Sequence, residues 1–240
     1  MGKSPVQAQI FKKKMLPQLL KKHPEYFKNI LADPAKYRIQ IIYTQINRDA
    51  KNQPHFKTYT YRLNLNEYFY PASTVKLPVA LLALEKLNDL RIPGLNKDTP
   101  LRIDSAYTKQ TTVLTDSSAL NHLPTIGHYI KKIFLVSDND AFNRLYEFLG
   151  QEQLNAGLHQ KGCSKVRLLH RLSVGDAGET TRYTNPFTFY QGNTILYKQP
   201  LVYNSRSYPN KLKTTRLGVG YYNANNQLVH QPMDFSDRNY

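Results

Sequence analysis

The chain has 240 residues, 40% of them hydrophobic, enough to bury a sizeable core in one large domain or two small lobes. Its 33 lysines and arginines against 17 acidic residues give a formal net charge of +16. That charge favours attraction to anionic partners such as nucleic acid, envelope polymers or membrane surfaces without naming one. A single cysteine, Cys163, excludes an intrachain disulfide and a multi-cysteine metal site, and no run approaches the roughly 18 apolar residues of a membrane helix.

The basic residues are scattered, with short runs such as Lys12 to Lys14 and Lys21 to Lys22, the pattern of a solvated basic surface. No nucleic-acid partner is expected, since the 18 tyrosines stand beside no RRM, zinc-finger or helix-turn-helix signature. The seven histidines contain no H-E-x-x-H, and Pro124 and Gly127 interrupt the stretch around His122 and His128, so no metal and no cofactor is expected. Lysines 12 to 14 break the first apolar run, so no signal-peptide core stands near Met1. Either the protein is cytoplasmic or a leader has been removed.

In chain order, residues 7–32 read as two short helices punctuated by Pro17 and Pro24. The stretches "YRIQIIYTQI" (37–46) and "HFKTYTYRL" (55–63) are rich in β-branched and aromatic residues, and the turn-rich "NRDAKNQP" between them predicts an antiparallel hairpin. A long helix follows from Ser73 to about Leu90, with Leu77, Ala80, Leu81, Leu84 and Leu87 at helical spacing and burial expected on most sides. Pro78 fits it only if the helix starts at about Ala72 to Ser73. Residues 95–122 read as a long surface excursion, and 124–136 and 139–150 as two more helices joined by Ser137-Asp138-Asn139. Beyond 160 the chain is loop-rich, with short strand-like pieces such as "NTILY" and "NQLVH". Strands segregated from helices indicate an α+β fold.

In "FYPASTVKLPVALLALEKLNDL" (69–90), Ser73 precedes Lys76 by three positions, which puts both side chains on one face of the helix. Free N–H groups at a helix start stabilise an oxyanion, and burial lowers a lysine pKa toward a value useful for taking a serine proton. An N-capping serine and an ordinary helical lysine would give the same tetrapeptide. What distinguishes the two is Ser137 and Asn139 some 60 residues on, a second hydroxyl and an amide able to complete a proton relay and a substrate clamp.

The ordered pair "STVK" (73–76) and "SDN" (137–139) resembles the penicillin-recognising serine hydrolase superfamily, close to its class A β-lactamase branch, over roughly residues 35–190. "TRYTNPF" (181–187) resembles the segment by which class A proteins enter the helix after their Ω loop. The resemblance implies a β-lactamase/transpeptidase-like fold, with a helical domain beside an antiparallel sheet flanked by helices. It divides the chain into 1–68, the N-terminal part of the α/β lobe; 69–190, the helical domain; and 191–240, a loop-rich return toward the sheet. It also implies acylation of Ser73 by a β-lactam or a peptidoglycan-like peptide, with Lys76 as base, Ser137 as proton-shuttling hydroxyl and Asn139 as partner of the substrate amide. Asp138 would order the loop. The family's substrates imply a periplasmic or secreted protein.

Two positions depart from the family pattern. Glu179 is the one offered counterpart of the Ω-loop glutamate that activates the deacylating water, and it stands outside the family's E-x-x-L-N setting. The K-T-G strand has no counterpart, because "KTT" (213–215) lacks the glycine and reads as a basic loop. These departures lead to the expectation of a fold incomplete at its C-terminus, the N-terminal part of a longer protein. They also keep open an alternative function as a non-catalytic binding or scaffold module at the cell envelope.

Overall fold

A computed structural model of the chain describes residues 9–10, 15–174, 178–209, 212, 215–223 and 225–235. Lys213 and Thr214 of the "KTT" stretch and the last five residues lie outside them. The chain divides into two compact units, Met1–Tyr68 and Phe69–Tyr240.

The first unit carries helices α1 (Met15–Lys21) and α2 (Pro24–Ala32) and a three-stranded sheet. Pro17 and Pro24 both fall in first turns, where a missing N–H breaks no intrahelical bond. Strands β2 (Ile41–Arg48) and β3 (Pro54–Tyr61) form the hairpin expected from the sequence, with Ile41 opposite Tyr61 and Arg48 opposite Pro54. Asp49 shapes its turn by accepting the N–H groups of Lys51 and Gln53, both at 2.9 Å. A strand absent from the sequence reading, β1 (Gln9–Ile10), runs parallel to β3 where a helix was expected to begin.

The second unit is built on four helices: α3 (Lys76–Leu90), α4 (Ile126–Val136), α5 (Asn139–Leu149) and α6 (Gln151–Gln160). A sheet of β4 (Leu101–Ile103), β5 (Phe187–Gln191) and β6 (Thr194–Gln199) pairs antiparallel throughout. Four two-residue strands, β7 (Arg216–Leu217), β8 (Tyr221–Tyr222), β9 (Leu228–Val229) and β10 (Met233–Asp234), pair as β7 with β10 and β8 with β9. Among the described residues this makes helices plus small antiparallel sheets, an α+β architecture.

The core of this unit joins Val79, Ala83 and Leu87 of α3 to Phe142, Leu145 and Phe148 of α5 and to Leu101, Phe187 and Phe189 of the sheet. Phe148 ties the layers together, its ring centroid 5.5 Å from those of both Phe187 and Phe189. Three expectations change here. Leu77 and Leu81 are 51% and 58% exposed, and the buried residues of α3 are Lys76, Val79, Ala80, Leu82, Ala83 and Leu87. The surface excursion 95–122 contains β4, whose Leu101 and Ile103 are fully buried, and "TRYTNPF" leads into strand β5 rather than a helix.

Candidate active site

The start of α3 explains both Pro78 and the placement of Ser73. Residues Ala72–Val75 form a 3₁₀ turn that runs into α3 at Lys76, so Pro78 lies in the first α-turn, where its missing N–H removes no helical bond. Ser73 sits on this turn at the surface, and Lys76 one turn later is 3% exposed. The lysine is among the buried residues of the helix.

The connection from α4 to α5 brings the remaining residues to it. Ser137 ends α4 in the left-handed conformation (φ 54°), its N–H bonded to the Ile133 carbonyl at 3.0 Å. Asp138 is the N-cap of α5, accepting the N–H of Ala141 at 2.8 Å, and Asn139 is the first helical residue. The tripeptide is therefore a C-cap followed directly by an N-cap, which fixes the path of Ser137 and Asn139 without a flexible loop.

Lys76 Nζ lies 3.3 Å from Ser73 Oγ, 3.0 Å from Ser137 Oγ and 2.7 Å from Asn139 Oδ1, and it also donates to the Ser137 carbonyl. Ser73, Lys76, Ser137 and Asn139 thus form one cluster. Burial holds the Lys76 amine below the ordinary lysine range, and the Asp138 carboxylate opposes this in part. Two of its four neighbours, the Ser137 carbonyl and Asn139 Oδ1, can only accept. A neutral amine has two N–H groups, so these acceptors use both and leave the lone pair for a hydroxyl. The two hydroxyls present belong to Ser73 and Ser137.

Three of the left-handed non-glycine residues of the chain belong to these segments. Ala72 (φ 47°), directly before Ser73, Ser137 (φ 54°) and Ser173 (φ 56°) all occupy the left-handed region without being glycine. Such residues cost on the order of 1 kcal/mol or more each and persist where surrounding structure holds them.

A feature missed in the sequence fixes the segment 168–173 beside this cluster. Five residues of α5 and α6 spaced four apart, Asn139, Asn143, Glu147, Gln151 and Asn155, each bond to it. Asn139 Nδ2 donates to Ser173 Oγ at 2.9 Å. Asn143 accepts the Leu172 N–H at 2.6 Å and donates to the Leu172 carbonyl at 2.9 Å. Glu147 accepts from Arg171 at 3.1 Å, Gln151 donates to the Leu169 carbonyl at 2.7 Å, and Asn155 bonds both backbone groups of Leu168. The stripe continues from α5 to α6 through Gly150 at φ 78°, where a Cβ would also come within 3.0 Å of Thr184. The signal was available as N-x₃-N-x₃-E-x₃-Q-x₃-N starting at Asn139, a polar stripe at helical spacing.

Glu147 is 3% exposed and lies between Arg144 (3.2 Å) and Arg171 (3.1 Å). Burial pushes its carboxyl pKa up, while the two guanidinium groups draw it down. Glu179, the sequence candidate for a hydrolytic base, has a half-exposed side chain 3.7 Å from Arg182. Among the described residues no group of three His, Cys, Asp or Glu is arranged to hold a metal ion.

A model described as the Beta-lactamase enzyme family matches residues 24–204, a span that contains every residue of the cluster and of the ladder beside it. No curated protein and no solved structure matches the chain.

Proposed function

The chain belongs to the Beta-lactamase enzyme family, within the penicillin-recognising serine hydrolases, and on that premise we propose that Ser73 is acylated by a β-lactam or a related amide or ester. Lys76 takes the Ser73 proton onto its lone pair as the serine oxygen bonds to the carbonyl carbon. The C–N bond of a lactam or amide, or the C–O bond of an ester, breaks, and the proton returns through the Ser137 hydroxyl to the leaving nitrogen or oxygen. Asn139 holds the substrate amide. The observation that carries this reading is the Lys76 environment: a buried amine with two obligate acceptors and two serine hydroxyls within 3.3 Å.

In this reading the protein works in the periplasm or outside the cell. In this reading residues 69–190 carry the site and 1–68 form an N-terminal lobe of their own, while in the stretch 191–240 strand β6 (Thr194–Gln199) pairs with β5 of the site-bearing unit. A second reading, a non-catalytic binding or scaffold module, draws on Glu179, whose carboxylate is engaged with Arg182 rather than with the cluster. Incubation with a fluorescent penicillin followed by intact-mass measurement separates the two. An adduct lost in Ser73→Ala supports acylation; a folded wild type that forms no adduct favours the binding module.

A further inference from the structure

We propose that Ser173 is a positioning residue for Asn139, and that it sets the preference of the site for substrates carrying a side-chain amide. The inference rests on the acylation reading above. Asn139 has one carboxamide, and the structure uses it at both ends: Oδ1 accepts from Lys76 Nζ at 2.7 Å, and Nδ2 donates to Ser173 Oγ at 2.9 Å. A carboxamide offers two N–H groups and two oxygen lone pairs, so one of each is left over. With the plane of the amide held from two directions, the remaining N–H points along a fixed line, ready for a substrate carbonyl without a further loss of side-chain freedom.

Ser173 can do this because its own place is fixed. Asn143 holds the preceding residue, Leu172, by both backbone groups, and Glu147 holds Arg171. The three contacts come from positions 139, 143 and 147 of one helix, so the rungs that fix Leu172 and Arg171 and the one that uses Ser173 share a rigid support. The backbone of Ser173 gives independent support. At φ 56° glycine or asparagine would be the comfortable residue, yet a serine stands there, exposed, with its hydroxyl committed to Asn139.

That conformation supplies a clean test. Ser173→Gly deletes the hydroxyl at a φ glycine adopts freely, and Ser173→Asn restores an acceptor at a φ asparagine tolerates. Acylation is followed with two β-lactam probes, one bearing an acylamino side chain and one lacking it, and binding is separated from the chemical step by saturation. For Ser173→Gly the amide-bearing probe should bind about tenfold more weakly, the worth of one well-placed hydrogen bond. The probe without the amide should change less than about twofold, and Ser173→Asn should recover most of the loss. Equal losses with both probes, or none, overturn the inference while leaving acylation standing. A wild type that neither probe labels overturns the acylation reading, and the inference with it.

Discussion

Lys76 and Lys86 stand near the two ends of α3, and both amines are held below the ordinary lysine range by burial. At the first end two serine hydroxyls and an amide oxygen surround the nitrogen. At the second, Lys86 Nζ donates to the Phe148 carbonyl and to Gln199 Oε1 and lies 4.4 Å from the Phe148 ring centroid. The Phe148 carbonyl belongs to the last turn of α5, where helical acceptors lack partners, so this ammonium closes a helix end. One helix therefore carries two lysines shifted in the same direction and put to different uses. A lowered pKa alone does not make a base; a hydroxyl within reach of the lone pair does.

Substitution at the two ends gives the largest expected contrast. Ser73→Ala and Lys76→Met should each slow probe acylation by about 10³-fold or more, whereas Lys86→Met should leave the rate within about twofold. A comparable loss from Lys86→Met would erase the distinction. The acylation rate of the wild type should rise with pH as Lys76 loses its proton, with a midpoint below 10.5, because its folded pKa lies below that value. The pH profile of the chemical step measures it directly.

Next in size is the support behind the Lys76 end of α3. Glu147→Ala leaves Arg144 and Arg171 buried without their shared carboxylate and should cost about 3 kcal/mol in urea unfolding. Its effect should fall on the segment 168–173, read by faster amide exchange there than in α3, whose own core contacts are unchanged.

The Lys86 end has a distinct pH signature. Lys86 has a folded pKa of about 8 against 10.5 when exposed, so between those values the unfolded chain binds more protons than the folded one. Stability should rise with pH from about 8 to 10.5, and below about 8 the cost of the buried ammonium is fully present. Lys86→Met should flatten that rise; an unchanged slope would contradict the burial of the amine. The smallest effect expected is from Ala72→Gly, which should stabilise the protein by under about 1 kcal/mol by relieving the left-handed backbone before Ser73.

The cluster was legible in the sequence because its members sit at helix boundaries. S-x-x-K marks the entry to α3, and Ser137, Asp138 and Asn139 mark the junction of α4 and α5, where local rules on caps and helical faces act strongly. The hairpin β2–β3 was legible for a similar reason, its turn and strands being contiguous. The buried side of α3 was misread because leucine spacing alone favours Leu77 and Leu81, while the core that decides the matter comes from Phe142, Phe148 and Phe187, distant in sequence. Strand β4 escaped because its buried–exposed–buried alternation spans only three residues, and β5 because its first three residues are all buried, Phe187 and Phe189 against Phe148, with no alternation to read. The polar ladder was written at a period of four but without apolar residues to draw notice, and its partners at 168–173 have no pattern of their own.

The most direct test is the intact mass of the folded protein after exposure to a β-lactam, with the modified residue located by peptide mapping. A single adduct on Ser73, absent from Ser73→Ala and from Lys76→Met, is the predicted result. No adduct on the folded wild type, or one that persists in Ser73→Ala, would contradict the assignment of Ser73 and Lys76 as nucleophile and base.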